Sequence, residues 1–192
     1  MAAVIQPERL TRRSENRCAA LVDGVPPPTP RPEPRALDRE AFIARLERMI
    51  ASPSALAGLD AANLDVPLDT SREEARLLLY LVVEGVHTPF VQRLERAKAA
   101  LDSLKAGQLP AGTEKTHGHV QYCDAAVARL FLAGFGVPGL ERLLFQLSPW
   151  TMGRARDVVA REFVPYLSTD EREALRGMLL GRLTASDPEA WI

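Results

Sequence analysis

The sequence predicts an all-α fold, an irregular bundle of six or seven helices behind a disordered, proline-rich N-terminal tail. Three observations predict it. From Leu37 onward apolar residues recur three and four apart almost everywhere. No stretch alternates with period two beside a turn signal, as a strand would. Residues 25–34 read VPPPTPRPEP, six prolines in ten positions, and so can be neither helix nor interior strand. The 192 residues are 46% hydrophobic and 26% charged, which suits one soluble domain with a core and some spare chain. The expected division is a tail over 1–36 and a single α-helical domain over 37–192.

The tail carries six basic and four acidic residues, and its proline run is expected to be an extended polyproline II spacer. Asp38 is placed to cap a first helix in which Phe42, Leu46 and Met49 share a face. Residues 52–70 read as a loop with at most one short turn, broken by Pro53, Gly58 and Pro67. Ser71-Arg72-Glu73-Glu74 has the capping-box pattern and opens a helix that is apolar on nearly every side from Leu77 to Val83. Such a helix must be enclosed by others, so it is expected at the centre.

Thr88-Pro89 opens a third helix, with Phe90, Leu94, Ala97, Leu101 and Leu104 as its seam and Gly107 as its stop. A fourth runs from about Thr116 to Ala133 and breaks in Gly134-Phe135-Gly136-Val137-Pro138. A short helix through Leu140, Leu143, Leu144 and Leu147 follows, then one from about Pro149 to Leu167. A second capping box, Ser168-Thr169-Asp170-Glu171, opens the last helix, which ends near Ala185. An aliphatic-x-x-Leu-Glu-Arg pattern recurs at Ile43, Val91 and Val137, at spacings of 48 and 46 residues. Two copies begin helices and one loop is unmatched, so a single irregular bundle is preferred to a helical repeat.

The densest group of metal-capable residues is His117, His119 and Cys123. On a helix His119 and Cys123 share a face, and His117 lies close enough to complete an open three-ligand site for zinc or iron. The alternative is a solvated helix start with Cys123 facing the core, and the missing second half of a zinc signature favours it. No cofactor is therefore expected. Phe131, Phe135, Phe145 and Trp150 cluster around the glycine break and offer either core filling or a pocket for an apolar ligand or partner helix. Gly177 and Gly181 would admit a second helix closely, from this chain or from a homodimer partner.

Formal net charge is −1, and acids interleave the arginines of the last two helices, so nucleic acid is not expected as a partner. The longest apolar run has seven residues against about 20 for a bilayer span, so membrane insertion is excluded. Two cysteines and the lack of a signal-peptide core point to the cytoplasm. Arginine outnumbers lysine 21 to 3, a codon bias that suggests a bacterial, GC-rich source. Without phosphate loop, HExxH, GxSxG or di-iron pattern, the expected role is non-catalytic: an adaptor, regulator or accessory protein acting through another protein. The alternative is a helical enzyme or ligand-binding protein built around His117, His119 and Cys123.

Overall fold

The structure, a computed structural model, describes residues 27–57, 66–82, 90–114, 125–146 and 158–185; these are largely helical, with no strand among them. Helix α1 (Arg39–Ala51) starts where Asp38 Oδ1 accepts the free amide of Ala41 at 2.9 Å. Its buried face is Phe42, Leu46 and Met49, as the spacing predicts. The expected loop then opens with a short helix, α2 (Pro53–Ala57), whose proline stands where a missing N–H costs nothing. Leu56 anchors that turn in the core.

Helix α3 (Arg72–Val82) begins with Ser71 Oγ accepting from the Glu74 amide at 3.1 Å. Ala75, Leu77, Leu78, Leu79, Leu81 and Val82 are all buried, and α4 and α5 pack against it, so the apolar run is enclosed. Helix α4 (Phe90–Lys105) buries Ala97, Ala100 and Leu104. It closes at Gly107, whose φ of 76° only glycine adopts freely. The Gly107 amide donates to Leu104 O at 3.0 Å and Gln108 to Ser103 O at 2.9 Å, the paired bonds of a Schellman stop.

Helices α5 (Ala125–Phe135) and α6 (Val137–Gln146) are separated by one residue, Gly136, at φ 67°. The break expected at the glycines is therefore a sharp corner. A Cβ at Gly139 would collide with the Phe131 carbonyl and crowd Phe135 Cβ at 2.8 Å, so the corner closes only around a glycine there. The helix expected to reach Leu167 stops earlier. Residues 158–162 are helical, and a 3₁₀ turn (Val164–Tyr166) follows. Pro165 is the reason, since it has no N–H to continue the α-helical ladder. Helix α7 (Thr169–Ala185) opens on a complete capping box. The Glu171 amide donates to Ser168 Oγ at 3.2 Å, and the Ser168 amide to Glu171 Oε2 at 2.9 Å.

Packing passes from element to element: α1 and α2 against α4, α4 against α3, α3 against α5, α5 against α6, and α6 against α7. One apolar core runs through all of them, from Phe42 to Leu175. The three Leu-Glu-Arg copies fall inside α1, near the start of α4 and at the start of α6, places that do not correspond. Among the described residues no helix is long and apolar enough to cross a membrane.

Ahead of α1, residues 27–36 are exposed and form neither helix nor strand. They are nonetheless bonded to the helical body. Thr29 N donates to Pro165 O and Arg35 N to Asp69 O, both at 2.8 Å. Arg31 and Arg35 also place guanidiniums beside carboxylates of the body, so residues 29–35 meet it through both backbone and side chains. Residues 1–26 of the expected tail lie outside the described residues.

Candidate functional site

Between this extended strap and the body lies a cavity of about 570 Å³. Its apolar lining includes Leu132, Phe135 and Phe163, and its polar lining includes Arg72, Arg129 and Glu171. The strap itself, residues 31–34, closes one side. The elements that supply these groups are the end of α5, the start of α3, the 3₁₀ turn region and the start of α7.

The corner after α5 sets the geometry. Carbonyls of a helix's last turn lack intrahelical partners and carry the negative end of its dipole. Here Gly134 O receives Arg76 Nε at 2.9 Å and Arg72 Nε at 3.3 Å, both from α3. Gly134 is buried, and a Cβ on it would stand 3.4 Å from Arg76 Cγ, in ordinary contact with α3. The Arg76 guanidinium lies 4.9 Å from the Phe135 ring centroid and that of Arg142 lies 5.7 Å from it. Two cations thus hold the ring that lines the cavity.

Arg129 reaches across to the other wall, where its Nη1 donates to Val66 O at 3.0 Å and its Nη2 stands 3.6 Å from Glu162. Glu171 serves two structures at once. Oε2 completes the capping box of α7, while Oε1 accepts Arg31 Nη2 of the strap at 3.2 Å. At the strap's other end Arg35 lies 3.6 Å from Glu74 and 3.9 Å from Asp69. Glu74 therefore puts its amide into the cap of α3 and its carboxylate beside the strap.

Of the residues singled out from sequence, Phe135 lines the cavity and is half-buried, whereas Phe131 is wholly enclosed in the core. Phe145 belongs to α6, but its side chain lies outside the described residues, as do His117, His119, Cys123 and Trp150 entirely. Among the described residues no group of three or more His, Cys, Asp or Glu could hold a metal ion. Arg172, one of the arginines of the last helix, is buried and donates to Val164 O at 3.0 Å and Pro165 O at 3.4 Å.

Sequence reasoning missed Arg72, Arg129 and the second role of Glu171. The capping box marked Glu171, but nothing local marked its contact with Arg31, 140 residues away. Phe135 was found through its aromatic neighbours, a signal that cannot tell a lining ring from a core ring. No protein-family model, curated protein or solved structure matches the chain.

Proposed function

We propose that this chain is a non-catalytic adaptor, regulator or accessory protein, and that it meets another protein at the cleft beneath residues 31–34. The observation that carries this reading is the way the body holds extended chain there. Backbone carbonyls at Pro165 and Asp69 accept from two strap amides, and carboxylates at Glu171 and Glu74 face two strap arginines. Main-chain acceptors flanked by charged side chains are the means by which proteins recognise extended segments of other proteins. Of the polar side chains of the cleft, Glu171 bonds the strap through Arg31, while Arg72 and Arg129 donate to the body carbonyls of Gly134 and Val66.

The test is site-specific photo-crosslinking in the full chain within its native cells. A crosslinking residue at Leu68, which lines the cavity, is expected to trap a defined protein. The same residue at Lys98, exposed on α4, is expected to trap none. Equal labelling at both positions, or none at Leu68, would remove the cleft as the contact surface.

A further inference from the structure

Residues 29–35 read Thr-Pro-Arg-Pro-Glu-Pro-Arg, so proline occupies every second position. Only residues 29, 31, 33 and 35 keep a backbone N–H. The outer two donate to the body, Thr29 to Pro165 O and Arg35 to Asp69 O. At about 3.1 Å per residue for extended proline-rich chain, the six residue steps from one donor to the other span roughly 19 Å. The arginines add a second layer of recognition. Arg31 meets Glu171 in the first turn of α7, and Arg35 meets Glu74 in the first turn of α3 along with Asp69. The body thus offers two carbonyls and acids at both ends, matched to donors and cations that alternate with proline.

The strap fills this surface poorly. Residues 27–36 are all exposed, and about 570 Å³ remains open beside Pro32, Glu33 and Pro34. The apolar floor of that space, supplied by Leu68, Leu132, Phe135 and Phe163, shares the lining with polar groups, yet the strap residue between the two arginines is a glutamate. What holds the strap is a few polar contacts plus its covalent tether, which supplies an effective concentration in the millimolar range.

We propose that the surface between Asp69–Glu74 and Pro165–Glu171 is a receptor groove for an extended, proline-alternating segment of a partner protein, bearing two arginines four residues apart. Residues 29–35 occupy the groove in cis as a built-in competitor. The better ligand carries an apolar side chain in place of Glu33, because that position adjoins the unfilled apolar floor. This rests on the reading that the cleft is a protein contact surface and names the chemistry of the partner.

The experiment uses full-length protein and a fluorescent peptide with the sequence of residues 27–36, titrated into the millimolar range. The released chain, carrying Arg31→Ala and Arg35→Ala so that its strap keeps its two backbone bonds but loses its ion pairs, is expected to bind the peptide severalfold more tightly than wild type. Adding Glu74→Gln and Asp69→Asn to that chain is expected to reverse the gain, and a peptide with leucine at its Glu33 position to bind more tightly still. Circular dichroism of each variant establishes that it is folded. Equal binding to wild type and the released chain would overturn the proposal, as would no binding to the released chain. A wild-type dimer lost on Arg31→Ala and Arg35→Ala would also overturn it, since the occupant would then be a second copy's strap. If Leu68 crosslinks a partner while the peptide fails, the contact surface stands and only the partner chemistry is wrong.

Discussion

Arg76 and Arg72 do together what a capping residue does alone elsewhere: they satisfy a carbonyl at the end of α5 from a different helix. A bond to a charged donor contributes about 1.5–3 kcal/mol and a cation over an aromatic ring roughly 0.5–1 kcal/mol. Lysine keeps the charge but loses the planar fork, so Arg76→Lys is expected to cost about 1–2 kcal/mol in chemical denaturation. The glycines split in the same way between needed and replaceable. Gly139→Ala pushes a methyl into the Phe131 carbonyl and is expected to destabilise by about 1–3 kcal/mol. Gly177 is exposed, with no atom of the described residues within 4 Å of an added Cβ, and Gly177→Ala is expected to add up to about 1 kcal/mol through helix propensity. A loss at Gly177, measured beside the oligomeric state, would mean that another chain occupies that space. None of these arginine roles was legible, because an arginine whose acceptor is a carbonyl 58 residues away leaves no local pattern.

At the scale of the element, legibility followed the range of the interaction. Asp38, Ser71, Ser168 and Gly107 act within four residues of themselves, and each starts or stops a helix where its type and spacing say it should. Pro165 was equally local, but the apolar spacing around it hid its effect, and the 3₁₀ turn it forces became half of the strap's anchorage. Enclosure of α3 was legible too, because an apolar run with no polar face has only one stable setting. That reading carries a sharp consequence. Leu79 is 5% exposed, and an unpaired carboxylate there costs several kcal/mol against a typical total stability of about 5–15 kcal/mol. Leu79→Asp is expected to abolish cooperative thermal unfolding, with Leu79→Ala as a folded control destabilised by about 2–5 kcal/mol.

Across the whole molecule, the order in which helices lie together and the cleft they leave were not legible. The cleft's walls come from residues near 33, 70, 132, 163 and 171, which meet only after every helix has packed. Composition marked the proline run as chain without helix or strand, and residues 27–36 carry neither. Its attachment depends on where Pro165 O and Asp69 O come to rest, which no property of the run itself encodes. The result is a molecule held in two ways. Its helices share an apolar core, while its strap rests on two backbone bonds and exposed ion pairs that contribute little individually and weaken with salt.

The alternation of proline in that strap also works as a phase lock. Suppose the chain slid one residue along its track. The two donating positions would then fall on Pro28 and Pro34, or one of them on Pro30, and hydrogen bonding would fail at once. A slide of two residues in one direction places Pro27 at a donor position. In the other direction it sets Glu33 against Glu171, like charge against like. Every neighbouring setting is thus rejected by a missing hydrogen or a repulsive pair, and the run behaves as a toothed rack with one seating. A segment this rich in proline is ordinarily a featureless spacer; here the same residues make it a ruler with a single zero.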